Sequence, residues 1–182
     1  MAKENHTKYA ILGLLTTGCH SGYSIKQMID ESLNHFWKVS YGQIYPILKQ
    51  LVDDGLATVQ TTSQDRKPDK KEYYMTPKGK LALQAWLQTP IKDIPTEKNE
   101  LLLKLFFSSH QSKTTALNHL TQYLEKIRER YNTFESIEQM INENLSDQAD
   151  AQFWLITLDY GKRTTKAVIE WCECTIKKLK DG

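Results

Sequence analysis

Cysteine is scarce in this chain of 182 residues, with only Cys19, Cys172 and Cys174. Three unevenly placed thiols cannot build a disulfide framework, and a reducing cytoplasm is the expected compartment. No apolar run approaches the roughly 18 residues of a membrane span, and no basic, apolar, small-residue leader opens the sequence. Neither a membrane partner nor a secretory signal is expected. An excess of charge is missing too: 24 Lys and Arg face 22 Asp and Glu, a formal net charge of +2. Taken alone, that balance argues against a nucleic-acid partner. Disorder is excluded by composition, since 40% of residues are hydrophobic and 25% charged.

Proline and glycine are nearly absent from one half only. Residues 96–180 contain no proline and the single glycine Gly161, whereas residues 1–89 hold six glycines and three prolines. Pro90 and Pro95 disfavour helix between the halves and mark a boundary. The expected domains are therefore 1–89 and 90–182.

In the first half, Tyr9, Ile11, Leu12, Leu14 and Leu15 form a helical run that stops before Gly18. Ile25, Met28, Ile29 and Leu33 continue at helical spacing from Ser21. Ile44, Ile47, Leu48, Leu51 and Val52 form a third helix that ends at Asp53-Asp54-Gly55. Leu56–Thr62 and Lys71–Met75 have strand character, and the polar stretch 63–70 joins them as a hairpin tip. Thr76-Pro77 starts a fourth helix, which runs to about Leu87. Three helices followed by a two-stranded β-wing give a winged helix-turn-helix.

The second half predicts long antiparallel helices. Thr96 would cap a short helix with Leu101, Leu102, Leu103, Leu105, Phe106 and Phe107, apolar on nearly every face and therefore buried on nearly every face. Ser112 caps a longer helix whose Leu117, Leu120, Leu124, Ile127, Tyr131 and Phe134 are spaced alternately three and four apart, a coiled-coil seam. Ser146 would cap the last helix, which carries Phe153, Ile156, Tyr160, Thr164, Ala167, Val168, Trp171 and Thr175. A hairpin of two such helices leaves apolar surface uncovered around Phe153-Trp154-Leu155-Ile156. A second copy of the chain is the economical cover, making this a dimerisation domain. The fold expected overall is mostly α.

The candidate functional residues follow from that frame. In the third helix Ser40, Tyr41, Gln43, Tyr45 and Lys49 lie off the apolar face. Glutamine can pair with adenine, while Ser, Tyr and Lys can reach phosphates of double-stranded DNA. Arg66, Lys67, Lys70 and Lys71 crowd the wing, where they would face phosphate with the neighbouring acids turned away. Ser21-Gly22-Tyr23-Ser24 opens a helix whose backbone N–H groups can hold a phosphate, with Ser21 and Tyr23 beside them. No Ser-His-Asp or Cys-His grouping emerges from spacing. Cys172 and Cys174, two apart on a helix, point opposite ways and cannot share a zinc ion. No enzyme, metal or cofactor is expected.

Tyr9-Ala10-Ile11-Leu12-Gly13-Leu14-Leu15, Ser21-Gly22-Tyr23-Ser24-Ile25, Gly42-Gln43-Ile44-Tyr45-Pro46-Ile47-Leu48, Asp54-Gly55-Leu56 and Tyr73-Tyr74-Met75-Thr76-Pro77-Lys78-Gly79 resemble, in that order, the PadR family of bacterial transcriptional regulators. The helical remainder is similar in pattern and length to the C-terminal domain of its longer subfamily. The resemblance implies a homodimeric repressor whose recognition helix contains Tyr45-Pro46, reading an inverted-repeat operator. It also implies release by a small aromatic ligand, for which Phe36, Trp37, Phe153, Trp154 and Tyr160 would line a pocket. Transcriptional activation on the same fold, or a helical interaction scaffold without specific DNA binding, are the alternatives. Counted by half, residues 1–89 carry 11 basic and 8 acidic groups, while residues 90–182 carry 13 and 14. The excess sits on the DNA-binding side, so the small net charge predicts modest non-specific affinity and a larger share for shape and base contacts.

Overall fold

The computed structural model describes residues 5–64, 67–92, 94 and 97–181. The chain divides into two compact units, Met1–Ile94 and Pro95–Gly182.

In the first unit, helix α1 (Thr7–Thr16) buries Ile11, Leu12, Leu14 and Leu15. It ends at Gly18, whose φ of 86° suits a residue without Cβ. Helix α2 (Gly22–Met28) starts from a reciprocal cap: the Ser24 N–H donates to Ser21 Oγ, and the Ser21 N–H donates to Ser24 Oγ, each at 3.0 Å. It widens into a π turn at Ile29–Leu33, closed by the Asn34 N–H donating to the Ile29 carbonyl at 2.8 Å. Helix α3 (Tyr41–Asp53) buries Ile44, Ile47, Leu48 and Leu51. It stops at Gly55 (φ 70°), where the Leu56 N–H donates to Leu51 O and the Gly55 N–H to Val52 O. The core is the set of fully buried side chains from these helices, with Ile11, Leu12, Ile25, Ile29, Ile44, Leu48 and Leu51 at its centre.

Strands β1 (Ala57–Gln64) and β2 (Lys67–Met75) pair antiparallel from Ala57 opposite Met75 to Thr62 opposite Lys70, with an irregularity between Thr62 and Gln64. The ladder thus extends into the segment expected as a loop. Exposed side chains on both faces beyond Val59 leave no alternating apolar pattern, so the hydrophobic signal ends before the backbone pairing does. Helix α4 (Pro77–Gln88) is capped by Thr76, whose Oγ1 accepts from the Gly79 N–H at 3.0 Å. A Cβ on Gly79 would lie 2.1 Å from the Leu56 carbonyl oxygen, so this close approach requires glycine. The far end of α4 meets α1, with Trp86 stacked on Tyr9 at 4.7 Å and its Nε1–H donating to His6 Nδ1.

In the second unit, helix α5 (Glu100–Phe106) is capped by Asn99; the expected cap, Thr96, lies outside the described residues. Helix α6 (Lys113–Asn144), capped by Ser112 as expected, and helix α7 (Ala151–Asp181) form an antiparallel hairpin. Ala116, Leu120, Leu124, Ile127, Phe134 and Ile141 of α6 are buried against Ala151, Leu158, Thr165 and Cys172 of α7. Leu117 and Tyr131 are half-buried at the margin.

Two expectations are corrected here. Ser146 does not cap the last helix: the turn continues to Asp150, whose carbonyl accepts from the Phe153 and Trp154 N–H groups. Helix α5 is not buried all round; Leu101 is buried, while Leu102, Leu103, Phe106 and Phe107 are exposed, Phe106 by 82%. The stripe along the last helix, open between hairpin seam and dimer face, divides between them: Phe153, Ile156, Tyr160 and Trp171 face outward, and Val168 packs toward α6. The face that meets α6 is built from Trp154, Leu155, Leu158, Ile169, Ile176 and Leu179, with Gly161 among them, where a Cβ would come 3.0 Å from the Phe134 ring.

Candidate nucleic-acid interface

Helix α3 presents its polar residues because its apolar ones are fixed in the core. Ile44, Ile47, Leu48 and Leu51 are buried, which leaves Ser40, Tyr41, Gln43, Tyr45 and Lys49 exposed. Pro46 lies inside the helix, and both it and Gly42 are exposed, so water can replace the helical bond that proline cannot donate.

The side chain of Gln43 is already engaged. Its Oε1 accepts from both the backbone N–H and the hydroxyl of Ser40, each at 3.0 Å. A bidentate adenine contact needs the glutamine oxygen as acceptor and its amide as donor. With the oxygen held at the cap, the Nε2 donors remain for an acceptor on a base edge.

Tyr45 lies across the start of α2. An ideal Cβ on Gly22 would fall 2.7 Å from its Cε1, so glycine makes room for the ring. The Tyr73 phenol is pushed up by burial, with the Tyr45 hydroxyl adding to the effect. Tyr41 has the Lys26 ammonium 5.5 Å from its ring centre, and Lys26 also pairs with Asp30. Tyr23 is 66% exposed at the start of α2. Ser21 is half-buried and occupied by its cap with Ser24. Helix α2 proper has seven residues, too short to serve by itself as a phosphate site.

On the wing, Lys70 and Lys71 are exposed, only the backbone of Lys67 is described, and Arg66 lies outside the described residues. The acids are not all turned away. Lys70 and Glu72 are two apart on one strand and share a face, so they pair at 2.8 Å. The hydrogen bond to Glu72 and its charge hold the Lys70 ammonium above its ordinary range.

Sequence reasoning missed three residues in this region. Lys38 is exposed two positions before the α3 cap. Lys26 was hidden by its place in an ordinary helix, although its charge partner four residues on was legible. His20, isolated in sequence, is joined to the wing strand by contacts between residues more than fifty apart.

The aromatic residues considered for a ligand differ in setting. Phe36 is exposed, and Trp37 is half-buried with the His6 ring edge-on at 6.3 Å. In the second unit Trp154 is half-buried near the hairpin turn, while Phe153 and Tyr160 are exposed. The Cys172 thiol is buried and Cys174 is exposed, on different faces of α7. Among the described residues, no helix is long and apolar enough to cross a membrane, and no group of three His, Cys, Asp or Glu could hold a metal ion.

Residues 11–85 match the family model described as "Transcriptional regulator PadR-like family", and residues 97–180 match "Virulence activator alpha C-term". The chain is 44% identical over 121 residues to the negative transcriptional regulator PadR of Bacillus subtilis, an alignment covering 65% of each protein. The crystal structure of Bacillus subtilis PadR in complex with operator DNA superposes with a TM-score of 0.83 at 33% identity, over 96% of this chain and 99% of that one. The same protein in complex with p-coumaric acid gives a TM-score of 0.78 at 32% identity, over 97% and 99% of the two chains.

Proposed function

Because the chain belongs to the PadR-like family of transcriptional regulators, we propose that it is a homodimeric, sequence-specific DNA-binding repressor in the cytoplasm. It would act by occupying an inverted-repeat operator, through binding rather than catalysis. The observation that carries this reading is the full-length likeness to an operator-bound relative, joined to an α3 whose core residues leave a polar face free. Domains 1–89 and 90–182 would divide the work between DNA and dimer. Tyr41, Gln43, Tyr45 and Lys49 would enter the major groove, with Ser21, Tyr23, Ser40 and the wing bases Arg66, Lys67, Lys70 and Lys71 toward the backbone. Two such helices would read half-sites about 34 Å apart or a multiple of it.

The outward face of α7 supports the choice of dimer surface. Phe153, Ile156, Tyr160 and Trp171 are exposed along it. Residues 132–161, around the hairpin turn, hold six carboxylates and no Lys or Arg; residues 162–181 hold six basic groups against three acidic ones. Two copies of α7 laid antiparallel about the point between Arg163 and Thr164 would bring Asp150, just before the helix, toward the second copy's Lys177, and would place Tyr160 opposite its Ala167. The same direction would bring the exposed side chains of α5 toward the second copy's Phe153 and Ile156.

A small aromatic ligand would release the operator by favouring a dimer in which the two recognition helices no longer fit it. The p-coumaric acid complex of the relative supports that class of ligand, and Phe36, Trp37, Phe153, Trp154 and Tyr160 are the aromatic candidates. Activation is the second reading, favoured by the match of the C-terminal half to a virulence-activator family. The experiment is selection of bound fragments from the source genome, footprinting at defined salt, and a reporter on the selected promoter with and without p-coumaric acid. Protected half-sites and a reporter that rises when the gene is deleted are expected. Salt-independent or absent duplex binding would overturn DNA recognition, and a reporter that falls would establish activation.

A further inference from the structure

Residues 20–22 tie together three parts of the DNA-binding unit. The His20 carbonyl accepts from the Tyr73 N–H at 2.7 Å, and His20 Nδ1 lies 3.1 Å from the Tyr73 carbonyl. The imidazole also stacks on the next ring of the strand, Tyr74, with centroids 4.5 Å apart and planes inclined by 30°. Tyr73 pairs with Val59 on its other side, so His20 occupies the free edge of β2. A third strand would satisfy that edge with a backbone N–H and carbonyl; here the imidazole, with its proton on Nδ1, supplies the donor instead. Of the next residues, Ser21 caps α2 and Gly22 lies beneath the Tyr45 ring of α3.

The position of this contact on the wing gives it leverage. Tyr73 is buried in the core, Glu72 is half-buried, and Lys71 and Lys70 are exposed. His20 therefore holds β2 where the hairpin leaves the body of the domain. A small rotation there is multiplied along the ladder toward the tip, since each residue adds about 3.3 Å. The turn that fixes the wing also meets the Tyr45 ring of the recognition helix.

We propose that His20 is the positioning residue that sets the wing against the recognition helix, so that wing-phosphate and groove contacts form in one register. The proposal rests on the DNA-binding reading above and adds a residue that touches no DNA itself.

The test uses the full-length protein with His20→Ala, His20→Asn, Lys70→Ala/Lys71→Ala and the His20→Ala combination with the double lysine variant. Affinities for the selected operator and for random duplex are measured across a salt series, with thermal melting alongside. His20→Ala should weaken operator binding by about ten-fold and make the salt dependence shallower by about one unit, as when a wing phosphate contact is lost. His20→Asn should restore both, because its Nδ2 sits where the imidazole Nδ1 does. With both lysines already removed, His20→Ala should cost little more. An equal ten-fold loss in that background, or a His20→Asn variant as impaired as His20→Ala while melting like wild type, would overturn the positioning role. Unchanged binding by His20→Ala would overturn it as well. If the wild-type chain binds no duplex in a salt-dependent way, the DNA-binding reading falls and this proposal with it; the two failures are thereby told apart.

Discussion

The Oε1 of Gln43 accepts two hydrogen bonds from Ser40, one from its backbone N–H and one from its hydroxyl, both at 3.0 Å. The residue best suited to read a base is thus also holding the first turn of its own helix. Gln43→Ala removes both roles together and should lower stability by about 1 kcal/mol as well as binding. Gln43→Glu keeps an oxygen for Ser40 and removes the amide donors. If Nε2 reads a base, Gln43→Glu should cut the preference for operator over random duplex by about 1–3 kcal/mol, whatever its added charge does to both. Equal losses on the two duplexes would take Gln43 out of the base-reading set.

Glu72 masks Lys70 on the wing. Glu72→Gln should therefore tighten binding to every duplex, operator and random alike, and steepen the salt dependence by up to about one unit. Lys70→Ala should change it less than Lys71→Ala, since a paired ammonium releases less counterion. Filter binding or anisotropy between 50 and 300 mM salt, as about the useful range, reads both effects.

Gly79 sits against the backbone of Leu56, with no room for a Cβ. Gly79→Ala gains helix propensity but must push α4 away from the end of α3, and a net loss of about 2 kcal/mol is expected. A lowered melting temperature checks it; an unchanged one would show that the helix start shifts without strain.

The antiparallel dimer makes a crosslinking prediction. In a Cys174→Ser background, Thr164→Cys should form a disulfide-linked dimer on mild oxidation, because the proposed twofold passes beside it. Phe153→Cys in that background should not crosslink to itself; if it does and Thr164→Cys does not, the helices run parallel. Trp171→Glu should give a monomer by sedimentation with its helical circular dichroism retained.

Lys162 joins the helices of the hairpin through Glu135 and Glu138, the latter at 2.6 Å. The hydrogen bond from Lys162 holds the Glu135 carboxyl below its ordinary range, and the two carboxylates hold the ammonium above its own. A lowered carboxylate contributes stability above its unfolded value of about 4.3, and loses it as pH falls through the folded value. A raised ammonium contributes below its unfolded value of about 10.4, and loses it as pH rises through the folded one. The gap in melting temperature between wild type and Lys162→Met should therefore be flat between about pH 5 and 9 and close in acid. A gap that stays unchanged after both carboxylates of the folded chain have been protonated, followed by NMR titration of their side chains, would assign the effect to packing instead.

Much of the first unit was legible in its sequence because each signal was local. Gly55 ends α3, Thr76-Pro77 starts α4, and the buried face of α3 follows from Ile44, Ile47, Leu48 and Leu51. What could not be read was tertiary. Nothing near His20 points to Tyr73, and the Lys70–Glu72 pair required knowing that residue 70 is in strand rather than turn. In the second unit the helices were legible but their faces were not. Helix α7 carries two apolar stripes, one packed on α6 through Leu155, Leu158, Ile169 and Ile176 and one exposed through Phe153, Ile156, Tyr160 and Trp171, and periodicity alone does not say which of the two meets α6.

The length of α7 has a consequence if the antiparallel pairing proposed above holds. Thirty-one residues rise about 46 Å, and in an antiparallel pair the two ends at which the chain enters the helical units lie at opposite extremes of that span. In that dimer the hairpin would act as a ruler: a heptad added to α6 and α7 alike, with the helices still fully overlapped, would move those entry points apart by about 10 Å.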